Sequence, residues 1–151
     1  KLNHKIPFFS NKLSQIFLIY DKILINNILF LEGFTMIFTE HEIVRKEKAN
    51  GGKGHIIIEH LLTKNELKEQ CGMFAHVTLE PNCSLGYHEH HGNGEAYYIT
   101  KGSGLYSDNG NIIEVKAGDV VFCPDGEGHG IENTSSSENL EFTALIINTV
   151  K

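Results

Sequence analysis

Turn-forming residues recur at intervals of about ten residues through most of this 151-residue chain, with short apolar segments between them. Segments rich in β-branched and aromatic residues span 56–58, 72–80, 95–100, 120–123 and 141–148. The turns between them include Pro81-Asn82, Gly102-Ser103-Gly104 and Ala117-Gly118-Asp119. Short strands at this spacing are typical of antiparallel sandwiches and barrels, so we expect an all-β fold.

Two local motifs predict individual elements. The triplet Asp108-Asn109-Gly110 lies between two short apolar segments and predicts a β-hairpin. Thr63 and Glu66 have the spacing of a capping box, which predicts a short helix over residues 63–70.

Composition excludes two classes of partner. The net charge is −6 and Arg45 is the only arginine, whereas a nucleic-acid surface needs clustered basic side chains. No apolar run approaches the roughly 18–20 residues of a membrane-spanning helix. The three cysteines include no C-x-x-C pair, which favours reduced thiols in a cytoplasmic protein.

The first 35 residues differ in composition from the rest, being rich in Ile, Leu, Phe, Asn and Lys. Met36 follows the string Leu31-Glu32-Gly33-Phe34-Thr35. Because Glu-Gly can be encoded as GAAGGA, a ribosome-binding sequence, one hypothesis is that residues 1–35 are translated upstream sequence. The native protein would then be a single domain over residues 36–151. The alternative is a genuine amphipathic arm that packs on that domain.

The stretch HEHHGNGE, residues 88–95, concentrates metal-ligating side chains at the start of an apolar segment. His88 and His90 are two residues apart and therefore project from the same face of a strand. A tight hairpin through residues 91–94 would bring Glu95 back beside His90. Two imidazoles and a carboxylate can hold a divalent metal and leave positions open for substrate, dioxygen or water. His129, after a loop rich in Gly, is a candidate fourth ligand.

These residues fall into two ordered motifs, and on them the sequence resembles the cupin family. The first family motif, G-x5-H-x-H-x3,4-E-x6-G, is matched at Asn82, His88, His90, Glu95 and Gly102. The second, G-x5-P-x-G-x2-H-x3-N, is matched at Gly118, Pro124, Gly126, His129 and Asn133. Only Asn82 departs from the pattern, and Asn suits the positive φ that the family's turn glycine provides.

The resemblance implies a double-stranded β-helix, which is a small jelly-roll barrel. It also implies that His88, His90, Glu95 and His129 hold one divalent transition metal. Sites of this kind take Mn, Fe, Ni, Zn or Cu, and the ligand set alone does not choose among them. Asn133 would fix the loop that presents His129.

Strand alternation assigns the residues around this site. Tyr97 shares the face of Glu95, and it either lines the pocket or is a core tyrosine with a satisfied hydroxyl. Either Phe122 or Cys123 closes the pocket, depending on which side chain faces inward.

Three further residues are expected to lie outside the site. Glu89 and His91 are out of phase with the ligands and should face the surface. If residues 81–82 form a two-residue hairpin loop, His76 lies opposite Tyr87, on the face away from the ligands, and is structural.

The first functional hypothesis is a metal-dependent decarboxylase, oxygenase or isomerase that acts on a small oxygen-rich molecule. Small single-domain cupins often carry an oxalate-decarboxylase-like label. The residues give little support for oxalate itself. A dicarboxylate is bound well by a bidentate arginine, and Arg45, the only arginine, would have to reach the site. The second hypothesis is a module that binds or senses a sugar or an organic acid without catalysis.

A homodimer is the expected assembly, because a sheet of this class has edges to cover and the segment over residues 36–59 could pair with a second copy.

Overall fold

The computed structural model describes residues 37–149, and ten β-strands account for more than half of these residues. Between them lie a 3-10 turn, Ala49–Gly51, and one short helix, α1, Lys64–Leu67. The strands are β1 Glu42–Glu47, β2 His55–His60, β3 Cys71–Leu79, β4 Ser84–Glu89, β5 Asn93–Lys101, β6 Ser103–Asp108, β7 Asn111–Lys116, β8 Val120–Cys123, β9 Gly128–Glu132 and β10 Leu140–Asn148.

The strands form two antiparallel sheets. The larger sheet has the order β1-β2-β3-β10-β5-β8, and the smaller has the order β4-β9-β6-β7. From β3 to β6 and from β7 to β10, strands that are neighbours in sequence lie in different sheets. The chain therefore passes back and forth between the sheets, as in a double-stranded β-helix, and the predicted all-β jelly-roll fold is confirmed.

The core lies between the inner faces of the two sheets. On β10, at the centre of the larger sheet, Phe142 and Ala144 are fully buried and alternate with partly exposed neighbours. The smaller sheet contributes Tyr106, Val115 and Ile131, each about 2% exposed. Alternation of this kind allows each sheet to bury one face and present the other to solvent.

Several local predictions are confirmed. The β6–β7 hairpin pairs Asp108 with Asn111 across a two-residue turn, in which Asn109 and Gly110 have φ of 49° and 87°. Positive φ at both positions is the requirement of a type I′ turn. Asn82 has a φ of 60°, as its place in the cupin motif predicts.

The predicted helix is present but short. Thr63 caps it, accepting from the backbone N–H of Asn65, and the Glu66 carboxylate accepts from the backbone N–H of Thr63. The helix ends at Leu67 because Lys68 adopts a φ of 56°, which is incompatible with a further helical turn.

The predicted pairing around β4 is wrong. β4 pairs with β9, and β5 pairs with β10 and β8, so residues 91–94 connect two sheets and do not close a hairpin. His76 on β3 lies opposite Thr143 and Glu59, not opposite Tyr87. The error arises because a short turn in the sequence does not reveal whether the next strand stays in the same sheet.

Contacts group the described residues from Phe38 onwards into one compact unit. The hypothesis that residues 1–35 are translated upstream sequence lies outside the described residues. Within residues 37–149, no helix has both the length and the apolar character needed to cross a membrane.

Candidate metal centre

The four predicted ligand residues come together, although they reach the site by different routes. His88 on β4 lies directly opposite His129 on β9, in the smaller sheet. His90 follows the end of β4, and Glu95 projects from β5 in the larger sheet. The cluster therefore bridges both sheets, and its geometry depends on how they pack.

One potential ligand atom from each of these residues lies within 4.8 Å of those from the other three. The Nε2 atoms of His90 and His129 are 2.9 Å apart. Glu95 Oε2 is 3.0 Å from the Nε2 of His129, 3.4 Å from that of His90 and 3.6 Å from that of His88. Three imidazole nitrogens and one carboxylate oxygen thus converge on one point.

Each histidine is held through its other ring nitrogen. His88 Nδ1 donates to the carbonyl oxygen of Gly86 at 3.0 Å, and His90 Nδ1 lies 2.6 Å from Asn93 Oδ1. His129 Nδ1 lies 2.9 Å from the hydroxyl of Tyr106. In each ring, the tautomer with its proton on Nδ1 presents an Nε2 lone pair to the cluster, and this is the tautomer that metal binding requires.

Burial and hydrogen bonding act in opposite directions on the pKa of Glu95. Burial alone would raise the pKa of this carboxyl, but hydrogen bonds from two histidines and from the Tyr97 hydroxyl lower the pKa to about 2. Burial lowers the pKa of His129, and contact with Glu95 only partly offsets it. At neutral pH the cluster therefore combines an ionised carboxylate with a neutral His129, which are the protonation states that coordinate metals.

The donor set fits a divalent transition metal. Two neutral Nε2 lone pairs at 2.9 Å repel each other unless a cation or a proton lies between them. Imidazole and carboxylate donors together suit Mn, Fe, Ni, Zn and Cu. The His88, His90, Glu95 and His129 cluster can therefore hold a metal ion.

Tyr97 lies in the core and contacts the cluster, whereas Phe122 lies at the surface. Tyr97 is 1% exposed, and its hydroxyl donates to Glu95 Oε2 at 2.8 Å, so it is the core tyrosine with a satisfied hydroxyl. Phe122 is 54% exposed, whereas Cys123, opposite Glu95 on β8, is 2% exposed. The prediction of Phe122 as a pocket residue is wrong because alternation on β8 turns Cys123 inward.

Asn133 has a different partner set from the one predicted. It is fully buried, and its side-chain amide lies within 2.8–3.1 Å of the carbonyl oxygens of Leu79, Glu80 and Glu138. These contacts join the end of β3 to the β9–β10 connection, beyond the far end of β9 from His129. Asn133 therefore stabilises the fold and does not fix the loop that presents His129.

The residues expected to lie outside the site do so. His91 and Glu89 form an exposed pair at 3.4 Å, and His76 lies 3.5 Å from Glu141. Arg45 donates to His55 Nδ1 at 2.9 Å and to Glu47 Oε1 at 3.0 Å. Its guanidinium therefore has partners other than the four ligand residues.

Sequence reasoning missed two residues of the site, Tyr106 and Asn93. Tyr106 reaches His129 because β6 pairs with β9, a contact between distant parts of the chain that no local pattern encodes. Asn93 had a detectable signal, since a short polar side chain three residues after a ligand histidine can bond its Nδ1.

A cavity of about 490 Å³ adjoins the cluster and is lined by His88, His90 and Glu95. Part of its wall comes from Lys46, Glu47 and Lys48, at the end of β1 and just after it. Charged groups of both signs therefore lie beside the potential metal position.

Residues 75–147 match the model of the cupin domain family. The oxalate-binding protein of Thermotoga maritima is 43% identical over 118 residues, which cover 77% of this chain and 97% of that protein. An uncharacterised protein of Methanocaldococcus jannaschii is 31% identical over 98 residues, covering 65% of this chain and 76% of that one. The chain belongs to the cupin family.

Solved structures agree with this assignment. The crystal structure of a predicted oxalate decarboxylase from Thermotoga maritima matches with a TM-score of 0.70 and 41% identity, covering 76% of this chain and 99% of that one. A polyketide cyclase from Streptomyces resistomycificus matches with a TM-score of 0.60 at 19% identity, covering 78% of this chain and 87% of that one. The second likeness supports the fold alone.

Proposed function

We propose that this protein binds a small carboxylate of the oxalate class at a mononuclear divalent metal held by His88, His90, Glu95 and His129. The observation that carries the proposal is the orientation of the three rings: each Nδ1 has a hydrogen-bond partner, and all three Nε2 atoms converge on Glu95. A cluster kept only for the fold would not need three imidazoles held in the same ligand orientation. The name of the 43% identical relative supports the choice of ligand class.

A metal with open positions supplies a Lewis acid that accepts carboxylate oxygens. The chain supplies the attraction for an anion, because Lys46 and Lys48 line the adjoining cavity. These lysines would attract the carboxylate in place of Arg45, whose guanidinium is hydrogen-bonded to His55 and Glu47.

Metal content is the first test. We expect near-stoichiometric Mn, Fe, Ni or Zn by elemental analysis of protein purified without added metal or chelator. The double variant His88→Ala, His129→Ala should lose the metal. His91→Ala is the matched control, because His91 is an exposed neighbour of the cluster, and it should retain the metal. Equal trace metal in all three proteins would rule out the proposed centre.

Ligand binding is the second test. Calorimetric titration of oxalate into the metal-loaded protein should give a saturable isotherm that disappears in the double variant. If metal binds but oxalate does not, the metal centre stands and the oxalate class is wrong.

Catalysis on the bound carboxylate is a second candidate function, favoured by the ionisable groups in the cavity wall. Glu47 and the two lysines line the same cavity as three of the ligand residues, and a carboxylate or an ammonium group there is the kind of group that transfers a proton to or from a bound ligand. For oxalate, decarboxylation consumes one proton and yields formate and carbon dioxide. Formate that accumulates with wild-type protein and not with Glu47→Gln would support this candidate. Saturable oxalate binding without any product would leave a binding module, and assays for oxygenase and isomerase activity would follow.

We further propose a cytoplasmic location. Cys71, Cys83 and Cys123 are all free, which suits a reducing compartment.

A further inference from the structure

We propose that the ligand of this site is larger than oxalate: a 2-oxo acid whose aliphatic side chain has roughly four to eight carbons. The chelating head would bind as oxalate does, and the side chain would occupy the apolar part of the cavity. This inference rests on the proposed function, because the metal centre anchors the head group.

The size of the cavity is the first argument. Its volume is about 490 Å³. At about 30 Å³ for each water-sized group, this space holds roughly sixteen such groups. Oxalate has six non-hydrogen atoms and would leave most of the cavity to water. A ligand that fills the space has a body behind its carboxylate.

The chemistry of the wall is the second argument. Five aliphatic or thioether side chains line the cavity, from four different strands: Ile56, Ile58, Met73, Leu85 and Ile146. Ile56 and Ile58 are 3% and 6% exposed and lie on one face of β2. A dianion gains nothing from such a wall, whereas a hydrocarbon chain gains the free energy of leaving water.

The third argument is that the apolar wall begins at the metal cluster. Ile146 on β10 lies opposite Glu95 on one side and opposite Met73 on the other. His88 and His90 line the same cavity as these residues. A head group on the metal would therefore point its substituent along the apolar wall without leaving the cavity.

The charges at the cavity wall agree with an anionic head. Lys46 and Lys48 balance the charges of Glu47 and Glu95 in the cavity lining, so a divalent cation on the cluster would leave the site with net positive charge. The ligand is thus an acid at one end and apolar at the other.

A series of 2-oxo acids tests the proposal. Calorimetric titration of Mn²⁺-loaded protein with 2-oxobutyrate, 2-oxohexanoate and 2-oxooctanoate keeps the head group constant and lengthens the side chain. We expect affinity to rise about fourfold for each added methylene until the cavity is full. Oxalate serves as the reference for the head group alone.

Paired substitutions locate the side chain. Ile146→Thr should weaken 2-oxooctanoate about tenfold, change 2-oxobutyrate less than twofold and leave oxalate unaffected. Ile147→Thr is the matched control on the same strand, because Ile147 is 44% exposed and is absent from the cavity wall. Met73→Gln is a second wall variant, and thermal unfolding of each variant verifies that it is folded.

The outcomes separate the two proposals. A flat affinity along the series, with oxalate still bound, overturns the longer ligand and leaves the proposed function intact. Equal binding of 2-oxooctanoate by wild type and by both wall variants also overturns it. Failure to bind Mn²⁺ or oxalate at all overturns the proposed function, and the inference with it.

Discussion

Within residues 37–149, the hydroxyl of Tyr106 is the hydrogen-bond partner of His129 Nδ1, and His129 is fully buried. Without that partner the imidazole is held less firmly in its orientation and in the tautomer that carries the proton on Nδ1, and a proton on Nε2 would block its lone pair. We expect Tyr106→Phe to weaken metal binding by about 10–100-fold while the protein remains folded. Competition with a chelator of known affinity measures the change.

Tyr98→Phe is the control for that measurement, because Tyr98 is 50% exposed and loses the same atom. Equal metal affinity in wild type and Tyr106→Phe would mean that His129 is oriented by packing alone.

The lowered pKa of Glu95 makes the metal-free protein sensitive to acid. The pKa is about 2 in the folded protein and 4.5 for an ordinary glutamate, so the unfolded chain binds the proton more readily. The resulting stabilisation is fully present above pH 4.5 and is lost as the pH falls towards 2. The loss should be on the order of 3 kcal/mol.

This pH-dependent stabilisation is measured by denaturant unfolding of metal-free wild type and Glu95→Gln at several pH values between 5 and 2. The stability of wild type should fall more steeply than that of the variant, which has no carboxyl to protonate. Parallel curves would show that Glu95 is not held as an ion by its neighbours.

At the scale of elements, the backbone of the 3-10 turn crosses very close to β4. A Cβ atom on Gly86 would collide with the backbone carbonyl of Asn50 and lie 2.8 Å from the amide nitrogen of Gly52. The same Gly86 provides the carbonyl that holds His88. The close approach thus couples one wall of the cavity to one ligand of the metal.

Gly86→Ala should therefore lower stability by about 1–3 kcal/mol and weaken metal binding as well. Chemical unfolding and chelator competition measure the two effects. Tyr87→Ala is the control on the same strand, because the Tyr87 side chain is 48% exposed and its loss leaves the backbone approach unchanged. If Gly86→Ala binds metal as tightly as wild type, the turn does not position His88.

The elements that could be predicted from the sequence are those whose signals are local. In β3, β5 and β10, buried and more exposed side chains alternate along much of the strand. The turn at Asn109-Gly110 is determined by these two residues, which both accept positive φ. β9 was not predicted as a strand, and β4 was predicted only from the spacing of its histidines. Their sequences, SLGYHE and GHGIE, contain glycines and histidines, which have low strand propensity. The glycines allow close packing, and the histidines belong to the cluster.

Partners of strands were not predictable in the same way. The spacing of the cupin motifs identified His88, His90, Glu95 and His129, but the local argument wrongly joined β4 and β5 in one ribbon. Tyr106 and Cys123 take their places through pairing with β9 and β5, contacts that join distant parts of the chain. Burial on the inner face of a sheet decides these places, and sequence patterns alone do not specify which sheet a strand joins.

At the scale of the whole molecule, the larger sheet has β1 at one edge, and within residues 37–149 β1 pairs only with β2. Ile43 on this strand is 66% exposed. The open edge of β1 offers backbone N–H and C=O groups to a further strand, and Ile43 offers an exposed apolar side chain, so we propose a homodimer that joins the molecules through β1.

Light scattering at micromolar concentration should give twice the mass of the chain, and Ile43→Lys should shift the protein to monomer, since lysine on an edge strand opposes edge pairing. Ile112→Lys is matched in exposure, at 63%, and lies on β7 of the other sheet, so it should remain dimeric. A wild-type monomer would contradict the assembly, and a dimer unaffected by Ile43→Lys would move the interface away from β1. Lys46 lies on β1 and Lys48 lies just after it, and both line the cavity. A dimer through β1 would therefore also bring the second molecule close to the cavity. Ligand affinity would then fall with dissociation, and titration of the Ile43→Lys monomer with oxalate tests that coupling.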